Sequence, residues 1–174
     1  CKTTKMGEIK SNLPFFYMVR QMKSNIYGNG LFVPVFALNA KSRNFRLFSP
    51  DETYSNRLDE VFQVTSRAFV WPIEKEDQDL NTDGRVMEML SEHNMHGLAQ
   101  GYILTGRHAI IATYEAFSQI FSSMAHTYQK FLKIARIMPW REDIASINYI
   151  LTATAWRQEH NGYSHQNPSF VTGM

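Results

Sequence analysis

The chain has 174 residues, 44% hydrophobic and 13% aromatic, which is enough apolar matter to fill the core of one globular domain and excludes global disorder. Eighteen Lys and Arg face 16 Asp and Glu, with no block of five like charges, so nothing marks a nucleic-acid partner while anionic small substrates stay open. The single cysteine, Cys1, excludes an intrachain disulfide framework and fits a cytoplasmic protein. The longest apolar run, Leu31 to Leu38 interrupted by Pro34, falls far short of the ~18 residues that cross a bilayer, so no membrane partner is expected. No secretory leader is visible, and a first residue other than methionine leads to the expectation of a fragment.

Residues 1 to 30 show an aromatic cluster at Phe15, Phe16 and Tyr17 but no sustained period, and they receive no assignment. From residue 31 onward, short apolar runs alternate with stretches of helical period, which predicts an α/β domain over 31–174 with an open, mostly parallel sheet and crossover helices. Phe45 to Phe48 reads as a first strand. Ser49, Pro50 and Glu52 then form a capping box, predicting a helix to about Ser66 with Leu58, Val61, Phe62 and Thr65 on one face. The polar stretch Glu74 to Gly84 reads as a surface connection.

Val86 to Leu90 is a second strand, followed by a helix whose face carries Met95, Leu98, Ala99, Tyr102 and Ile103 and which stops at Gly106. Glu92 stands at that strand-to-helix junction. Ala109 to Thr113 is a third strand, and Phe117 to Ala135 repeats at intervals of three and four as a helix that ends before Pro139. Ile144 to Ala153 supplies a fourth strand, apolar enough to be buried on both faces. The polar and aromatic loop WRQEHNGYSHQNP follows it, and in an open α/β sheet such a loop shares the ligand-binding edge with the Glu92 junction.

Two histidine pairs, His93 with His96 and His160 with His165, raise a zinc reading. Each pair supplies only two ligands, no cysteine is near, and SEHNMH is not the HExxH arrangement, so no metal site is assigned and His96 reads as an ordinary helix residue. Glu92 has an ordinary reading too, because an acidic residue in a helix's first turn is favoured by the helix dipole whatever its role.

The run MLSEHNMHGLAQGYILTGRHAIIATYEAF, residues 89 to 117, resembles the phosphoketolase pattern in which SEH opens a helix, GY and LTGRH close it, and TYEAF follows the next strand. The resemblance extends to SRNFRLFSPDETYSNRLDEVFQVT upstream and to PWREDIASINYILTATAWRQEHNGYSHQNPSF downstream. Leu98 in place of a tryptophan, and Ala109-Ile110-Ile111 in place of Gly-Leu-Phe, depart from it in packing positions.

That resemblance implies the pyrimidine-binding domain of a thiamine-diphosphate enzyme, truncated near its C-terminal end, which cleaves xylulose 5-phosphate or fructose 6-phosphate with inorganic phosphate to acetyl phosphate. It implies that Glu92 faces N1' of the cofactor's aminopyrimidine and relays its proton, and that Tyr114 and Phe117 border the ring. Without the resemblance, Tyr114 and Phe117 would read as a core aromatic pair. Ser55 and Arg57 resemble residues that hold the substrate phosphate, Gln158, His160 and Asn161 a substrate-contacting segment, and His165 the histidine aimed at the sugar hydroxyls. Magnesium and the diphosphate are expected on a domain that this chain lacks, with the remaining domains as partners in a homodimer. A transketolase-like enzyme, or a non-catalytic binding or oligomerisation fragment, remain the alternatives.

Overall fold

The computed structural model describes residues 17–20, 33–50, 53–152 and 169–173. Among these described residues, seven strands form one sheet: β1 (Tyr17–Arg20), β2 (Phe45–Ser49), β3 (Arg67–Ala68), β4 (Leu80–Asn81), β5 (Val86–Glu88), β6 (His108–Tyr114) and β7 (Ile147–Thr152). Their order is β1-β7-β6-β2-β5-β3-β4, and every neighbouring pair is parallel. The helices are α1 (Val33–Leu38), α2 (Glu92–Leu104), α3 (Ser122–Ala135) and the short α4 (Ser169–Gly173). The fold is the α/β class that the alternation of patterns predicts, with crossover helices on a parallel sheet.

The central strands are apolar without alternation because both of their faces are covered. On one face Ile111, Ile147, Tyr149 and Leu151 pack with Met95, Ala99 and Ile103 of α2, with Phe121, and with Ala125 and Tyr128 of α3. On the other, Leu47, Val86, Ile110 and Ala112 pack with Phe36 of α1 and with Leu58 and Val61. Arg85 ties that second layer down, donating to the carbonyls of Phe36 at 2.8 Å and Val64 at 3.3 Å.

Helix α2 begins and ends as its sequence dictates. Ser91 is its N-cap, its hydroxyl accepting from Asn94 N at 3.4 Å, and Glu92 opens the first turn. Gly106, at φ 81°, takes the left-handed conformation that closes it.

The helix expected from Ser49 to Ser66 does not form. Ser49 is the last residue of β2, and its buried hydroxyl has no hydrogen-bond partner among the described residues. Thr53 to Arg57 is a turn, and only Asp59–Gln63 winds into a 3-10 helix. Arg57 stands at φ 55°, a left-handed conformation that no α-helix tolerates in its interior, and Leu58 N bonds back to Thr53 O at 3.1 Å. The predicted helix from Phe117 starts instead as a 3-10 segment, Glu115–Phe121, and becomes α-helical at Ser122. Four strands were expected: β3 and β4, at two residues each, are too short to carry a period, and β1 lies in the segment that received no assignment.

His96 occupies the middle of the larger core. It is fully buried in a three-ring cluster with Phe121 and Tyr149, with Nε2 2.6 Å from Tyr149 Oη and Nδ1 2.8 Å from Gln100 Nε2. Burial, assisted by the nearby His93, pushes its pKa down to about 4. The unfolded chain therefore binds a proton that the native ring refuses, so stability falls as pH drops from about 6.5 toward 4. Denaturant unfolding across that window is expected to show a loss of roughly 3 kcal/mol attributable to this ring, and His96→Gln is expected to flatten the pH dependence.

Candidate active site

In a parallel sheet every strand delivers its following loop to the same edge. Here the adjacent strands β7, β6, β2 and β5 bring together the turn at residues 53–58, the N-terminus of α2, and the 3-10 segment after β6. Connections leave β2 toward β3 on one side and β6 toward β7 on the other, so the crevice where ligands bind such sheets opens between the carboxyl ends of β2 and β6.

The turn after β2 is fastened to each of its neighbours. Thr53 donates to the Glu88 carboxylate at the end of β5, through N at 2.6 Å and Oγ1 at 2.5 Å. Tyr114 Oη, at the end of β6, donates to the Ser55 carbonyl at 3.0 Å. Thr152 Oγ1, at the end of β7, donates to the buried Asn56 Oδ1 at 2.5 Å.

Five of the sequence-predicted residues thus stand on one edge. Ser55 and Arg57 are exposed, and the Arg57 side chain makes no hydrogen bond or ion pair among the described residues. Tyr114 and Phe117 are half-buried and meet edge to face at 5.9 Å. Glu92 is half-buried at the first position of α2, its carboxylate without a hydrogen-bond or ion-pair partner among the described residues. Tyr114 touches Ser55 directly, whereas Glu92 joins the group through α2, whose His96 stacks on Phe121 at 5.1 Å. Gln158, His160, Asn161 and His165 lie outside the described residues.

Two buried hydroxyls at this edge, Ser49 Oγ and Thr113 Oγ1, lack a hydrogen-bond partner among the described residues. Sequence reasoning missed Thr53, Asn56, Glu88 and Thr152. Glu88 had a signal: a carboxylate in the middle of the otherwise apolar run VMEML needs a reason to be there.

A sequence model of the D-xylulose 5-phosphate/D-fructose 6-phosphate phosphoketolase family matches residues 29–174. The chain belongs to the phosphoketolase family. It is 56% identical over 137 residues to a probable phosphoketolase of Bradyrhizobium diazoefficiens, covering 79% of this chain and 17% of that protein. It is 54% identical over 137 residues to probable phosphoketolase 2 of Rhizobium meliloti, covering 79% of this chain and 18% of that protein. The chain thus spans about a sixth of the length of the phosphoketolases it matches. Among the described residues, no helix is long and apolar enough to cross a membrane.

The shared edge of this phosphoketolase chain depends on the Thr152 to Asn56 contact, since it is buried and joins β7 to the turn after β2. Thr152→Val keeps the shape but removes the donor, and is expected to lower unfolding free energy by about 1–3 kcal/mol in denaturant titration.

Proposed function

We propose that this chain provides the pyrimidine side of the thiamine-diphosphate site in a phosphoketolase. The complete enzyme would cleave xylulose 5-phosphate or fructose 6-phosphate with inorganic phosphate, yielding acetyl phosphate and an aldose phosphate. The observation that carries this reading is that Glu92, Ser55, Arg57, Tyr114 and Phe117 share one carboxyl edge in a chain matching a family described by those sugars.

The residues fit the cofactor in type and accessibility. Glu92 offers a half-buried carboxylate with no competing partner among the described residues, suited to hold a proton at N1' of an aminopyrimidine. Tyr114 and Phe117 offer an aromatic wall for the ring. Thiamine diphosphate, when bound, supplies the carbanion chemistry. Arg57 presents a forked donor and Ser55 a hydroxyl to the sugar phosphate. Gln158, His160, Asn161 and His165 belong to this reading as sugar contacts, with His160 and His165 moving protons near neutral pH. Magnesium and the diphosphate would be held by residues beyond this chain, in a cytoplasmic homodimer.

Glu92→Gln in the complete enzyme is expected to lower kcat by roughly 10²-fold or more with a nearly unchanged sugar KM, because the amide keeps the shape but relays no proton. Near-normal acetyl phosphate release by a folded Gln variant would remove Glu92 from this role. Transfer of the two-carbon unit to an aldose, without acetyl phosphate, would instead indicate a transketolase-like reaction.

The chain alone, supplied with thiamine diphosphate, magnesium, phosphate and fructose 6-phosphate, is expected to release no acetyl phosphate and to bind the cofactor weakly in calorimetry. Magnesium needs several hard oxygen ligands, and the reading places them elsewhere. Steady product formation by the purified chain would refute that division of the site.

A further inference from the structure

The turn that carries Ser55 and Arg57 is held in an unfavourable conformation. Arg57 has φ 55° without being glycine, asparagine or aspartate, and such residues persist only where their surroundings over-determine them. The closing bonds are Arg57 N to Tyr54 O at 2.9 Å and Leu58 N to Thr53 O at 3.1 Å, so the turn's geometry follows from where Thr53 and Tyr54 sit.

Both of those residues are set by one carboxylate and its partner. Glu88 accepts both Thr53 donors on Oε1 and takes Arg67 Nε on Oε2 at 2.7 Å. Its side chain is only 19% exposed and both oxygens are occupied. The guanidinium of Arg67 lies 5.1 Å from the Tyr54 ring centre and 4.3 Å from that of Phe62, while Tyr54 Oη donates to Asp79, itself 3.7 Å from Arg67. Arg67 reaches this position because β3 lies against Gly84, where any Cβ would overlap the Arg67 backbone.

We propose that Glu88 is the positioning residue of the sugar-phosphate subsite. Its carboxylate fixes Thr53, and through Thr53 the left-handed turn that presents Ser55 and Arg57. This inference rests on the reading of Ser55 and Arg57 as phosphate ligands. Glu88 itself touches no substrate in this scheme. It acts by keeping the Arg57 fork aimed, and its two oxygens must both accept, a demand that glutamine cannot meet because its amide nitrogen donates.

The test uses the complete enzyme and compares Glu88→Gln, Thr53→Val, Arg57→Ala and the Glu88→Gln/Arg57→Ala double variant, measuring sugar-phosphate KM, kcat, thiamine-diphosphate affinity and Tm. Arg57→Ala is expected to raise KM roughly tenfold or more, the effect of losing a charge-assisted phosphate contact. Glu88→Gln should raise KM several-fold with kcat and cofactor affinity within about twofold, and Arg57→Ala should add much less in that background than alone. Thr53→Val, which removes only the hydroxyl donor, should raise KM in the same direction and carries the test if Glu88→Gln fails to fold.

If Arg57→Ala raises KM while neither Glu88→Gln nor Thr53→Val does, the positioning role is wrong and the phosphate reading stands. If Arg57→Ala leaves KM unchanged, the phosphate reading is wrong and the positioning role falls with it. Additive effects in the double variant, with Tm and kcat falling together, would reduce Glu88 to a structural contact and overturn the proposal.

Discussion

The rest of the structure depends on the hydrogen-bonded registry of a sheet in which every strand runs the same way. Parallel pairing forces each strand to return through a crossover, which covers both faces and makes the strands continuously apolar. The same pairing gathers all of the post-strand loops at one edge. The same geometry gathers polar residues at the ends of the strands, so Thr53, Asn56, Glu88, Tyr114 and Thr152 meet at the carboxyl edge, where the core gives way to hydrogen-bonding groups.

That edge is cross-tied at the turn that carries Ser55 and Arg57. The turn after β2 is held from β5 by Glu88, from β6 by Tyr114 and from β7 by Thr152, three strands on both sides of its own. A left-handed arginine costs about 1–3 kcal/mol, which so many fixed contacts can offset. Behind it, the stack of His96, Phe121 and Tyr149 couples the helix that begins at Glu92 to the segment that begins after Tyr114.

Much of this was legible in the residues. Helical spacing pointed to α2 and apolar runs to the strands β6 and β7, Gly106 marked a helix end, and the SEH and LTGRH runs pointed to the family. What failed did so for physical reasons. The capping-box pattern at Ser49 competes with sheet pairing and with the Glu88 carboxylate, and a tertiary hydrogen bond at Thr53 defeats a local cap. The two-residue strand β3 lies against Gly84, where a Cβ would overlap its backbone, a long-range contact that no local window contains. Glu88 escaped notice because a lone carboxylate inside the predicted strand Val86 to Leu90 shows no role until its partners, 35 and 21 residues away, are known.

The most direct measurement is a crystal structure of the complete protein with thiamine diphosphate, magnesium and a ketose phosphate bound. The expected result is an aminopyrimidine whose N1' lies within about 3 Å of the Glu92 carboxylate, with the sugar phosphate on Ser55 and Arg57 at the carboxyl ends of β2 and β6. A cofactor ring bound away from Glu92, or a phosphate bound at the opposite edge of the sheet, would contradict it.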